Sequence, residues 1–213
     1  VPVSVLWVVK GLGPGGAEHL LAAAAKVHDR EHFRIECAYV LPFKDHLAGA
    51  LEAAGVVTRC LSERGRDRRW PWRLARLVRV GGYDVVHVHS PLPASVVRLA
   101  VRAMRRRPRV VSTEHNTWTS FATATRLVNR VTSRWDDATF AVSDQTRASM
   151  RGRARERAVT LVHGIDVAGT AALAADRDVV RAEFGLSADA FVIGTVANFR
   201  EQKDYPNLLR AAR

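Results

Sequence analysis

Cysteine is almost absent from this chain. Only Cys37 and Cys60 occur, in separate apolar runs. No disulfide framework and no thiolate metal spacing can be built from them, so a reducing cytoplasm is the expected compartment. No apolar run approaches the roughly 20 residues of a membrane span. Val1 to Val9 is apolar but has no basic stretch ahead of it, unlike a secretory leader. Acidic residues are the scarce charge: Asp and Glu number 21 against 33 Lys and Arg, a formal net charge of +12. Lysine is scarce as well, at positions 10, 26, 44 and 203 only, so arginine supplies the other 29 basic residues. Internal repeats and low-complexity tracts are missing. What remains is an ordinary globular composition, 47% hydrophobic and 25% charged over 213 residues. That is enough chain for one full domain and part of another.

The arginines cluster. Arg64 to Arg73 reads R-G-R-D-R-R-W-P-W-R, Arg102 to Arg109 reads R-A-M-R-R-R-P-R, and Arg147 to Arg157 holds five more. Such patches attract anionic surfaces and weaken with salt. Zinc spacing, ribonucleoprotein aromatics and other recognition modules are missing, so nucleic acid is not the expected partner. Trp70 and Trp72 among arginines fit the headgroup layer of an anionic membrane, which makes Arg64–Arg73 and Arg102–Arg109 candidate membrane-facing patches. The competing reading is a plain solvated face in a chain rich in arginine codons.

Apolar β-rich runs alternate with helical stretches. Strands are expected at Val3–Val9, Arg34–Val40, Val56–Leu61, Asp84–His89, Arg109–Thr113, Ala138–Val142 and Ala158–Val162. Helices are expected near Ala17–His28, His46–Ala54, Trp72–Val80, Ala94–Arg106, Ala124–Trp135 and Asp144–Arg151. This alternation predicts an α/β fold, a Rossmann-like parallel sheet with helices on both faces. The expected organisation is a Rossmann-like domain over residues 1–165 and a connector over 166–190. A new buried strand at Phe191–Ala197 would then open a second domain over 191–213. In such sheets ligands gather at the carboxyl ends of the strands, so polar residues there carry the functional question.

Four blocks fall at those ends. The first, Gly11-Leu12-Gly13-Pro14-Gly15-Gly16-Ala17-Glu18, reads in two ways. Gly11, Gly13 and Gly16 spell G-x-G-x-x-G between a strand and a helix, the nominal dinucleotide fingerprint. A nicotinamide enzyme also needs an acid at the end of the second strand to hold the ribose. Glu36 has about that spacing but lies inside its strand, which ends at Leu41-Pro42 with no acid. A turn that merely needs positive φ is the bland alternative. The second reading rests on Gly15-Gly16-Ala17-Glu18, a glycine pair with an acid in the first helical turn. The other blocks are Glu114-His115-Asn116-Thr117-Trp118, His163-Gly164-Ile165-Asp166, and Asn198 to Asp204.

In this order, and with Asp84-Val85-Val86-His87-Val88-His89 between them, the blocks resemble glycosyltransferase family 4, enzymes of the two-domain GT-B fold. The resemblance implies transfer of a sugar from a nucleotide-sugar donor to an acceptor, a lipid-linked or cell-envelope glycan, with retention and without a metal or other cofactor. It implies an acceptor-side N-terminal domain and a donor-side C-terminal one, in a chain that is an incomplete, inactive portion at the inner face of a membrane. His115 resembles the histidine beside the reacting sugar, and Lys203 the lysine that offsets diphosphate charge. Gly15, Gly16, Glu18, Asn116, Gly164, Asp166, Asn198 and Arg200 are the expected donor-contacting positions. Two departures stand out. The family's second cationic ligand is Asn198 here, with Arg200 the expected substitute, and the family's N-G-[IV]-D has become His163-Gly164-Ile165-Asp166. His87 is expected to pack inside the sheet and His89 to be a lesser site candidate. The competing functions are a nicotinamide oxidoreductase and a non-catalytic binding module.

Overall fold

The structure is a computed structural model that describes residues 1–65, 67–197, 199 and 201–212, with residue 202 described in its backbone alone. The chain divides into two compact units, Val1–Ile165 and Asp166–Arg213.

The first unit holds seven parallel strands: β1 (Val3–Val9), β2 (Phe33–Tyr39), β3 (Val57–Cys60), β4 (Val85–Val88), β5 (Arg109–Glu114), β6 (Ala138–Ala141) and β7 (Val159–Thr160). They lie in the order β3-β2-β1-β4-β5-β6-β7. The order reverses between β1 and β4, so the connections leaving those two strands part company and open a crevice at their carboxyl ends.

Among the described residues seven helices cover the sheet: α1 (Gly16–Val27), α2 (Ala48–Ala53), α3 (Trp70–Val80), α4 (Pro91–Arg102), α5 (Thr123–Thr132), α6 (Asp144–Ser149) and α7 (Arg153–Arg157). Alternation along β1 sends its residues to two cores. Leu6 and Val8 join Leu74, Val78, Val97 and Val101 of α3 and α4. Val5, Trp7 and Val9 join Leu21, Ala22, Ala25 and Leu51 of α1 and α2. Strands buried on both faces are what parallel pairing requires. A third cluster packs Trp118 with Ala141, Met150, Ala154 and Ala158.

Element boundaries shift for identifiable reasons. Helix α4 starts at Pro91 rather than Ala94, because proline's fixed φ suits a first helical turn. It ends at Arg102, before Arg105-Arg106-Arg107-Pro108, where adjacent like charges and a following proline oppose a helix. The second unit differs more. Its expected connector is helical, with α8 (Val167–Ala172), a 3₁₀ turn (Leu173–Asp176) and α9 (Arg177–Glu183), followed by α10 (Tyr205–Ala211). The expected strand at Phe191–Ala197 is not a strand, and Phe191, Ile193 and Val196 are exposed. Among the described residues this unit contains no strand to complete a ladder. An extended apolar segment without a paired neighbour gains neither hydrogen bonds nor burial.

Candidate active site at the sheet switch point

The crevice beyond β1 and β4 is lined by a row of imidazoles. The H-V-H spacing puts His87 and His89 on one face of the sheet, because side chains repeat every two residues along a strand. Their ring centroids are 4.1 Å apart. Next comes His115, just past the end of β5, with His89 Nδ1 and His115 Nε2 3.1 Å apart. His163 then stacks on His115 at 5.5 Å and an interplanar angle of 10°. The row is anchored at its inner end, where His87 Nε2 lies 2.8 Å from Thr113 Oγ1, and Trp7 meets His89 edge-on.

Burial, with repulsion between neighbouring imidazoles second, holds His87, His89 and His115 neutral. It lowers His87 and His115 to about 4 and His89 well below its ordinary value. A neutral pair at hydrogen-bond distance has one donor. His89 Nε2 is buried without a partner. Leaving a bare acceptor unpaired is better tolerated than orphaning an N–H, so His89 Nδ1–H donates to His115 Nε2. His115 then carries its proton on Nδ1. The row places a neutral imidazole with a fixed tautomer at the crevice. Among the described residues no group of three or more His, Cys, Asp or Glu could hold a metal ion.

A polar network holds the other face of the same strand end. Glu114, Asn129, Arg98 and Asp136 are all nearly inaccessible to solvent. Arg98 donates from Nε (2.7 Å) and Nη2 (2.6 Å) to the two oxygens of Asp136, and from Nη1 (2.6 Å) to Asn129 Oδ1. Asn129 Nδ2 donates to Glu114 Oε1 at 2.8 Å, and Ser112 Oγ donates to Asp136 at 2.8 Å. Burial pushes both carboxyls up, against the opposing pull of Arg98. Consecutive residues of the motif therefore serve opposite sides: Glu114 is pinned among hydrogen bonds, and His115 faces the crevice.

The glycine turn borders the same crevice. Helix α1 begins at Gly16 with no side-chain cap, so N–H groups of its first turn are available to an anion. Gly15 has φ −108° and is the N-cap. None of the glycines of this turn has positive φ, which removes the bland reading. What Gly15 supplies is room, since a Cβ there would collide with the Glu18 carboxylate folded back over it. That carboxylate makes no capping bond to the helix and stands beside the turn, where it could accept from sugar or ribose hydroxyls. The dinucleotide reading loses its acid: Glu36 accepts from Arg59 Nε (2.7 Å) and from Tyr83 Oη (3.0 Å), away from the strand end.

The sequence matches glycosyltransferase family 4 over residues 14–168. The chain belongs to glycosyltransferase family 4. It is 27% identical over 221 residues to the curated glycosyltransferase EpsF of Bacillus subtilis, covering 98% of this chain and 57% of that protein. Among solved structures, Anabaena Alr3699/HepE in complex with UDP and glucose superposes with a TM-score of 0.79 at 19% identity, over 99% of this chain and 57% of that one. A glycosyltransferase from Rickettsia africae gives 0.61 at 14% identity, over 89% and 51%. The chain thus spans a little over half the length of these relatives, and its sheet is the Rossmann-like unit of the GT-B fold.

The family residues distribute unevenly over the two units. His115 and the helix start at Gly15–Gly16 border the switch-point crevice, and exposed Asn116 follows His115 directly. Gly164 is exposed beside His163 and needs no positive φ. Asp166 has a structural task, capping α8 by accepting from Gly169 N at 2.8 Å. Lys203 ends a short 3₁₀ turn in the second unit and is exposed. Asn198 and Arg200 lie outside the described residues. His89, the lesser candidate, and His163, the departure from the family pattern, both take places in the imidazole row. The H-V-H spacing was the available signal for His89, whereas the stacking of His163 depends on tertiary placement.

The two basic patches are partly spoken for. Arg73 pairs with Glu63 and Asp67, and Arg107 and Arg109 pair with Asp137. Trp70 packs against the α3–α4 core and only Trp72 stands exposed.

Proposed function

We propose that this chain serves sugar transfer from a nucleotide-sugar donor to an acceptor, with retention of anomeric configuration and without a metal. The observation that carries the reading is the placement of His115, its Nε2 3.1 Å from His89 Nδ1, at the crevice where an uncapped helix start is also available. A neutral imidazole can hydrogen-bond a sugar hydroxyl without competing for the diphosphate, and the N–H groups of α1 favour the negative charge that develops as the nucleotide departs. In the second unit, Lys203 would offset diphosphate charge, with Arg200 as its companion in place of the family residue replaced by Asn198. Gly15, Gly16, Glu18, Asn116 and Gly164 would contact the donor, while Asp166 is committed to its cap. The UDP and glucose in the Anabaena structure support a nucleotide sugar as donor.

The acceptor is proposed to be a lipid-linked or cell-envelope glycan, met at the cytoplasmic face of an anionic membrane. No helix among the described residues is long and apolar enough to cross a membrane, so attachment would be peripheral. The span of the relatives supports reading the 213 residues as the acceptor side with only part of the donor side. The 213-residue chain should therefore bind UDP-glucose weakly in calorimetry and NAD not at all, and His115→Ala should abolish what nucleotide-sugar binding it has. Micromolar NAD binding would end the reading.

A further inference from the structure

Helix α5 is inside out. Its inward positions are polar: Asn129, Thr132 and, just past its end, Ser133 are buried, and the first two are hydrogen-bonded to Arg98. Its apolar residues face solvent instead, with Leu127 59%, Val128 39% and Val131 44% exposed. At 100° per residue these three form one stripe, beside a second made by Arg126, Arg130 and Arg134. A cavity of about 450 Å³ opens at the foot of these stripes. It is lined by Trp118, Thr123, Arg126, Leu127, Arg130 and Arg151, and no carboxylate borders it. Beyond the helix, the Trp135 ring carries the guanidinium of Arg134 at 5.1 Å and that of Arg102 at 5.5 Å. Among the described residues, none of these five arginines is ion-paired, although Arg73, Arg98, Arg107 and Arg109 elsewhere in the first unit are.

We propose that the outer face of α5 docks on an anionic lipid surface, with Leu127, Val128 and Val131 in the headgroup–acyl boundary and a lipid phosphate in the cavity between Arg126, Arg130 and Arg151. Each part has its physical reason. An apolar stripe flanked by arginine is the pattern of a helix lying in the interface plane. Guanidinium forks suit phosphate oxygens, and an indole with cationic neighbours sits at headgroup depth. Because the inward face of α5 is satisfied by buried hydrogen bonds, the helix needs no rotation to present its apolar side. Trp118, which borders the cavity, belongs to the segment that carries His115. The inference goes beyond sugar transfer and stands without it.

Vesicle co-sedimentation of the 213-residue chain tests it, comparing phosphatidylglycerol-containing with pure phosphatidylcholine vesicles and adding free pyrophosphate as a third arm. The wild type should bind the anionic vesicles only. Arg126→Gln/Arg130→Gln/Arg151→Gln should lower the partition coefficient about 100-fold, at about fivefold per basic residue near such a surface. Leu127→Gln/Val131→Gln should lower it at least about tenfold even at low salt, where charge alone would hold a merely electrostatic binder. Leu127, Val131, Arg130 and Arg151 are exposed and Arg126 is half-buried without an ion-pair partner, so thermal unfolding should change little, and the unfolding curve separates loss of binding from loss of fold. Arg68→Gln/Arg69→Gln should bind almost as the wild type does. Undiminished binding by the Leu127/Val131 variant, or loss confined to the Arg68/Arg69 variant, would overturn the assignment. So would failure of the wild type to bind anionic vesicles, or equally tight capture of free pyrophosphate.

Discussion

Replacing Arg98 with methionine isolates the buried charge behind the edge of the candidate site. Methionine keeps most of the volume and the apolar stem, so packing against α4's neighbours changes little. The electrostatics change completely. Asp136, with its side chain 1% exposed, loses both N–H donors of the guanidinium and retains Ser112, while Asn129 loses the donor on its carbonyl. Stranding one partner of a buried pair costs about 3–5 kcal/mol, a large part of the 5–15 kcal/mol that typically holds a domain folded. The pH dependence separates this cause from lost packing. Burial already pushes the Asp136 carboxyl up, and without the guanidinium nothing charged opposes it. A carboxyl whose folded pKa lies above its unfolded value is favoured in the folded state while protonated, and its contribution is lost as pH rises. Relative to the wild type, Arg98→Met should therefore regain stability on acidification, at up to about 1.4 kcal/mol per pH unit as pH falls from neutrality towards the ordinary aspartate range. Urea midpoints across that range read it directly. Adding Asp136→Asn removes the stranded charge, so the double variant should be the more stable of the two near pH 7. A loss below about 1 kcal/mol, a pH-independent loss, or a double variant worse than the single would refute the reasoning.

Two further outcomes follow from the crevice. The wild type should itself lose stability as pH falls, since His87 and His115 are lowered to about 4 from 6.5. Neutral burial contributes fully above pH 6.5 and is lost towards 4, on the order of 3 kcal/mol for the coupled row; flat urea midpoints over that window would contradict it, and His87→Gln should lessen the slope. Gly15→Ala should fold with stability within about 0.5 kcal/mol of wild type, because φ −108° admits alanine and only the mobile end of Glu18 must yield. Its nucleotide-sugar binding should nonetheless fall in calorimetry, since Glu18 is displaced from the helix start.

The sheet was legible because its strands advertise themselves. Val3–Val9 is apolar on both faces, and β1 has those limits in the structure. The Pro91 helix start and the Arg105–Pro108 stop were readable in principle, from proline's preference for first turns. Phe191–Ala197 misled because an apolar run promises a strand only where a partner edge exists, which no local pattern reveals. The site was half legible. His115 and the glycine turn stood out by family order and spacing, whereas the imidazole row required β4, β5 and the segment after β7 to be brought side by side. Arg98 gave no signal, since one arginine in the run Val96-Val97-Arg98-Leu99 looks like an exposed helical residue until its partners 31 and 38 positions away close around it.

That arginine explains the odd character of α5. A guanidinium buried under β5 and β6 must be answered by acceptors from every neighbouring element, so the helix crossing it turns Asn129 and Thr132 inward. Asn129 then has one orientation open to it. Its carbonyl accepts from Arg98, which leaves its amide to hold Glu114, and Glu114 precedes His115. Polar contacts thus fix the strand end at the crevice, where an apolar core would leave the backbone freer to shift. The apolar residues of α5 are displaced to the outside by the same requirement. A single buried charge, through the helix that satisfies it, connects the edge where the chemistry is proposed to the face proposed to meet the lipid.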